Sequence, residues 1–219
     1  MIEKKHIETP LGLRKTFFFD SANLREYRRI LGGISWPTGD QPGFACIIGE
    51  SDHKTVRLKT RNLYVLAEYR QKNIEKLIRA TYALQNKYLI DGWHGKEDDV
   101  FMMHFIDRFN SKLSKKKKGI YIAEAFLSES VHSLKLYANQ ILSRTQPAKK
   151  SLFFEGKDII PGELLGLSDE DIKSKKTEDY PAIAALSYVL SALEEPYFDV
   201  NKDRELHEIY INRKMVSGL

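Results

Sequence analysis

"RRILGGISWPTGDQPGFACIIGES", residues 28–51, decides how the chain folds. It reads as two apolar strands, "RRILGGIS" (28–35) and "FACIIGES" (44–51), joined by "WPTGDQPG" (36–43), where turn-forming residues are concentrated. Gly, Pro and Asp between apolar runs mark a reversal of the chain. A third strand follows within "VRLKTRNLYVLAEYR" (56–70), most clearly over "LYVLAEY". Three antiparallel strands are therefore expected before the first helix.

Beyond them, helices and strands alternate. "NIEKLIRATYALQNKYL" (73–89) places Ile74, Leu77, Ile78, Tyr82 and Leu84 at helical spacing, with Asn73 as its N-cap. "YLIDGWHG" (88–95) is expected as a short strand ending in a loop, with the glycines around Trp93 and His94 making a tight turn. A helix over 97–113, a strand over 119–126, a helix over 128–144 capped by Ser128 and a strand over 150–156 come next. "SDEDIKS" (168–174) starts as a short helix and "YPAIAALSYVLSALEE" (180–195) is the last long one. Such alternation predicts crossover helices on a sheet that is partly parallel.

The expected organisation is an extension over residues 1–27, one α/β domain over 28–195 and a tail over 196–219. No long linker or internal repeat divides it. "RKTFFFD" falls in the extension, and Phe17 to Phe19 are read there as core or docking residues.

Composition narrows the chemistry. Of 219 residues, 42% are hydrophobic and 30% charged, with net charge +5, which permits a nucleic-acid partner without demanding one. The single cysteine, Cys46, excludes an internal disulfide and a thiolate metal cluster, and its apolar setting predicts a buried strand thiol. The first residues lack a signal-peptide core and no uncharged run approaches a membrane span, so a cytoplasmic protein with no membrane partner is expected. No serine–histidine–acid arrangement is visible, and His104 and His132 are read as partly buried helix residues.

In its order of elements the chain resembles the ribonuclease H-like fold, and more narrowly the nuclease domain of phage terminase large subunits. The likeness covers roughly residues 28 to 194 and is carried by pattern: the third strand "LYVLAEYR", "YLIDGWHG" with its acid near glycines, the strand and helix of "IYIAEAFLSESVHSLKLYANQIL", and paired acids before an alanine-rich helix in "EDYPAIAALSYVLSAL". No phosphate-binding loop of a motor domain is present. The resemblance implies a mixed sheet and metal-dependent hydrolysis of DNA phosphodiesters, in which two divalent ions, Mg2+ or Mn2+, are held by converging carboxylates. It implies DNA and other phage packaging proteins as partners.

Carried onto this chain, the family's acids fall on Asp91 after the fourth strand and on Glu178 and Asp179 before the last helix. Asp91 and Asp179 are the implied catalytic residues, and Asp91, Glu178 and Asp179 the implied metal ligands. Two positions depart from the pattern. The first-strand aspartate falls near Ser35, with Asp40 five residues later, and the second closing acid falls in "PAIA". A DNA-binding descendant without catalysis, or a protein-interaction module on the same scaffold, therefore stands beside the nuclease.

Taken as residues alone, Glu178 and Asp179 are read two ways, as helix-capping acids before Pro181 or as ligands. "DGWHGKEDD" is likewise either a ligand cluster of Asp91, His94, Glu97, Asp98 and Asp99, or a polar loop before an acid-capped helix. Lys115, Lys116, Lys117 and Lys118 are the candidate nucleic-acid contacts, with Arg57, Lys59 and Arg61 as an extension of that basic face.

Overall fold

The computed structural model describes residues 1–8, 14–52, 61–96, 100–124, 134–147, 150–174 and 177–194. The expectations for Arg57, Lys59, Glu97, Asp98, Asp99, Ser128, His132 and the 196–219 tail lie outside the described residues. Glu178 is described in its backbone and Arg61 likewise.

The N-terminal residues form a small antiparallel sheet of β1 (Ile2–Glu8), β2 (Arg14–Asp20) and β3 (Arg25–Tyr27). The chain then enters the three expected strands, β4 (Arg29–Ser35), β5 (Gly43–Asp52) and β6 (Arg61–Gln71), each antiparallel to the next. Helix α1 (Ile74–Tyr88) follows, with Asn73 accepting the Lys76 N–H as its cap. Then come β7 (Gly92–Gly95), α2 (Val100–Asn110), β8 (Ile122–Glu124), α3 (Leu134–Thr145) and β9 (Leu152–Phe153). Short helices α4 (Ile159–Leu165) and α5 (Asp169–Ser174), a 3-10 turn (Thr177–Asp179) and α6 (Pro181–Glu194) complete the described chain.

The main sheet has the order β8-β7-β4-β5-β6-β9. β7 is parallel to β4, β8 to β7 and β9 to β6, so the sheet is mixed as the alternation required. Two apolar layers cover it. On one face α3, α4 and α6 bury Leu31, Cys46, Val65, Tyr137 and Ala185. On the other, α1, α2 and the small sheet bury Ile30, Ile34, Trp93, Leu77 and Ile106. Ile2, Phe18 and Tyr27 belong to this second layer, so the "FFF" strand packs onto the main sheet. Cys46 is buried in β5 as expected.

"GWHG" is itself strand β7, whereas the sequence suggested a turn. Gly95 of β7 and the glycines of β4 serve close approach. Gly32 lies under the Trp93 ring, where a β-carbon would stand 2.3 Å from Cε3. Gly33 faces the opposite side, as strand alternation dictates, and touches α6. α6 is buried along almost its whole length, in keeping with its lack of charge from Ala182 to Leu193.

Candidate functional site

Helix α6 orders the geometry. It crosses β4 at Gly33, where a β-carbon would meet the Ala185 carbonyl oxygen at 2.0 Å. Its C-terminal end lies at the start of β4, because Arg29 Nη2 donates to the Leu193 carbonyl at 3.3 Å. A cation is favourable there, against the negative end of the helix dipole. The same guanidinium donates from Nε to Glu50 Oε2 at 2.7 Å, a buried pair. α6 therefore runs antiparallel to β4, and its N-terminus lies toward Ser35.

That N-terminus has its own carboxylate. Glu163 of α4 accepts the Ala182 and Ile183 N–H groups on Oε2, at 3.0 and 3.1 Å, and its other oxygen pairs with Arg70. Burial pushes its carboxyl above the usual range, while these N–H donors and Arg70 pull the other way. α4 is capped in turn by Glu68 of β6, which accepts the N–H groups of Asp158, Ile159 and Ile160 at 3.1, 3.0 and 2.9 Å. Sequence reading missed both glutamates. They reach across 92 and 19 residues, so no local pattern marks them.

Asp179 is exposed in the 3-10 turn ahead of α6, so it lies at the Ser35 end of the sheet, as does the β4–β5 connection that holds Asp40. Asp91 lies at the other end. It immediately precedes β7, and it exchanges hydrogen bonds with Ile30 at the start of β4. The Ile30 N–H donates to Asp91 Oδ2 at 3.3 Å, and the Asp91 N–H donates to the Ile30 carbonyl at 2.8 Å. Asp91 is exposed as a residue, yet partial burial of its carboxyl raises its pKa, opposed by the Ile30 N–H and then by Lys4, Lys118 and Arg29.

The expected convergence of Asp91 with Asp179 is thus not what the fold provides. α6, of 14 residues and about 21 Å long, runs between the two ends. A cation bridging oxygens at 2.0–2.6 Å cannot span that separation. Among the described residues no group of three His, Cys, Asp or Glu side chains is placed to hold a metal ion. The Mg2+ or Mn2+ pair implied by the resemblance does not fit Asp91 and Asp179 as joint ligands. The error has one source: Asp91 is read as following a strand, whereas the strand follows it.

His94 turns to the α6 face, paired with Gly33, and its Nδ1 is buried with no hydrogen-bond partner among the described residues. Burial first and Arg29 second hold its pKa below the ordinary 6.5. His104, expected to be partly buried, is instead exposed on α2.

Lys115, Lys116, Lys117 and Lys118 are all exposed between α2 and β8. The backbone is pinned where the run ends, at Lys118 and the two residues after it. Gln85 Nε2 donates to the Lys118 and Gly119 carbonyls at 3.2 and 3.1 Å, while its Oε1 accepts the Trp93 indole N–H at 3.1 Å. Asn110 holds Ile120 by both its N–H and its carbonyl, at 2.9 and 2.8 Å. The C-terminal end of the lysine run, at Lys118, is thus presented from a fixed base.

Strand order, the antiparallel start and the parallel crossovers define a ribonuclease H-like α/β fold. Its fold is similar to that of the nuclease domain of the large terminase of bacteriophage SPP1, solved with bound Mn, with a TM-score of 0.50 at 13% identity over 80% of this chain and 92% of that one. The fowlpox virus Holliday junction resolvase also aligns, with TM-score 0.36 at 15% identity over 75% of this chain and 97% of its own. Its complex with Holliday junction DNA aligns with TM-score 0.37 at 14% identity over 75% and 99%. No protein-family model and no curated protein matches the chain. No helix among the described residues is long and apolar enough to cross a membrane.

Proposed function

We propose that this chain is a DNA-binding protein on a nuclease fold, which grips the phosphate backbone through Lys115–Lys118 and makes no use of a cation shared by Asp91 and Asp179. The observation that carries this reading is the pinned lysine loop. A solvated helix end needs no clamp, but here two side-chain amides, from Gln85 and Asn110, fix Lys118 and the Gly119–Ile120 backbone into which the lysine run leads. Pre-organised cations bind phosphate without first losing loop entropy. The nuclease domain of similar fold supports a nucleic acid as the polyanion, and DNA is the form proposed here. Any hydrolysis by this protein would rest on acids other than Asp91 and Asp179 acting together.

Anisotropy of labelled duplex DNA over a salt series tests the reading. Exchanging Lys115, Lys116, Lys117 and Lys118 for Gln together is expected to weaken binding and to flatten the dependence of log K on log salt by about 0.9 for each phosphate no longer neutralised. Binding is expected to persist in chelator. Unchanged affinity in that variant would overturn the proposal. So would manganese-dependent plasmid nicking abolished by Asp91→Asn and by Asp179→Asn alike.

A further inference from the structure

We infer that the lysine loop and Tyr121 together form a binding surface for single-stranded nucleic acid, with Tyr121 stacking on an unpaired base while the lysines hold the adjoining phosphates. This rests on the DNA-binding reading above and gives it a substrate class.

Three observations lead to it. Tyr121 is 70% exposed, although Ile120 immediately before it is 1% exposed and clamped by Asn110. The chain thus anchors one residue firmly and presents the next to solvent. An exposed aromatic ring next to cations on a fixed backbone offers what a splayed base needs, a flat apolar face beside a phosphate site.

Second, the position of Tyr121 in the sheet sets it beside the lysines. It stands one residue ahead of the Trp93–Ile122 pair, at the end of β7 and β8 where Asp91 lies. Lys118 is three residues before it, and its carbonyl is fixed by Gln85. Third, Lys4 of β1 extends the charge. Lys4 and Lys118 both act on the Asp91 carboxylate, so each stands within electrostatic reach of that residue. Lys4 also lies against the Phe18 ring, its ammonium 5.4 Å from the centroid, which leaves a cation at the surface on an apolar base. Asp91 is the opposing charge within the patch.

A duplex hides its base faces, so an exposed tyrosine gains nothing from paired DNA beyond contact with the backbone. Unpaired bases have free faces, and base–aromatic stacking adds to the phosphate contacts. The ring is the discriminating element and the lysines are the shared one.

The experiment compares fluorescein-labelled oligothymidylate with a labelled duplex of equal length, using the full chain and three variants. Tyr121→Ala is expected to weaken oligothymidylate binding roughly tenfold or more and to leave duplex binding within error. Tyr121→Phe, which keeps the ring, is expected to bind like the parent. The lysine-loop variant is expected to weaken both probes. Because Tyr121 is exposed, its substitution is expected to leave the thermal midpoint unchanged. Several outcomes overturn the inference: unchanged oligothymidylate affinity in Tyr121→Ala, an equal loss on both probes, or a loss in Tyr121→Phe as large as in Tyr121→Ala. If these occur while the lysine variant still weakens binding, the DNA-binding reading survives its refinement. If the lysine variant weakens neither probe, both fail.

Discussion

Gly33 and Ala185 lie so close that a β-carbon on the glycine would stand 2.0 Å from the Ala185 carbonyl oxygen, with Val189 Cγ2 at 2.5 Å. The contact on one side is backbone, which cannot rotate away. Gly33→Ala is therefore expected to push α6 off the sheet and to destabilise the protein by about 3 kcal/mol, the upper part of the overpacking range. Gly162→Ala in α4 is the contrast, since a β-carbon there meets nothing within 4 Å. It is expected to stabilise by about 0.5–1 kcal/mol through helix propensity and the unfolded chain. Urea denaturation of the two variants measures both signs.

Glu163 is expected to matter more to the fold than either acid that precedes α6 in sequence. Its carboxylate receives two N–H groups of the first turn of α6, and it joins that turn to Arg70 of β6. Glu163→Ala removes this cap from both donors, at a cost of about 1–2 kcal/mol. Asp179→Ala, at an exposed position ahead of the helix, is expected to cost less than Glu163→Ala. Equal losses in the two variants, read from denaturation midpoints, would show that the helix is capped from its own leading turn.

How far the sequence disclosed this arrangement depends on the range of each signal. The strands of 28–51 and the helix after Asn73 were legible because turn residues, apolar runs and a cap lie within a few positions of one another. β7 was misread because its two glycines look like turn punctuation, yet Gly92 and Gly95 sit in a strand beside the glycines of β4. That misreading moved Asp91 from the start of the strand to its end and created a false carboxylate site. The "FFF" strand was set outside the domain because its partners, Ile2 and Tyr27, reach the core only through a second sheet. Glu68, Gln85 and Asn110 carry ordinary polar identities, and their roles appear only when distant backbone groups come within hydrogen-bond reach.

His94 makes stability depend on pH with a definite sign. Burial and Arg29 lower its pKa in the folded protein below the 6.5 of the free side chain. The unfolded chain then binds the proton more readily than the native one in that window. The stability contributed by neutral His94 is present above about pH 6.5 and is lost as pH falls toward the folded value. Glu50 pairs with the same guanidinium and is the counter-charge facing it from β5. Denaturation from pH 7.5 to 5.5 is expected to show a decline in the parent that is reduced in His94→Gln. A variant that declines as steeply as the parent would assign the loss to other groups.

Asp91 is expected to oppose polyanion binding. It lies where Lys4 and Lys118 both act, and the Ile30 N–H is its hydrogen-bond partner. Asp91→Asn keeps an oxygen for that N–H and removes the charge. DNA affinity is expected to rise about two- to fivefold, the scale of one exposed ion-pair interaction. Anisotropy at low salt checks it, and a fall in affinity would restore Asp91 as a ligand of some bridging cation.

Gln85 ties the fold to the lysine loop. It is 5% exposed, its amide N–H groups serve the Lys118 and Gly119 carbonyls, and its oxygen serves the buried Trp93 indole. Gln85→Leu fills the volume but leaves those polar groups without their partner, and burying them so costs about 1–3 kcal/mol for each group left unpaired. A second effect is expected on function. With Lys118 and Gly119 released, the lysines lose their fixed base and ordering must be supplied on binding. DNA affinity is therefore expected to fall severalfold at a temperature where the variant remains fully folded by circular dichroism, with no lysine removed. The salt slope is expected to stay as in the parent, because the same lysines neutralise the same phosphates. A variant that loses stability and yet binds with parental affinity would show that the loop needs no pinning to hold DNA.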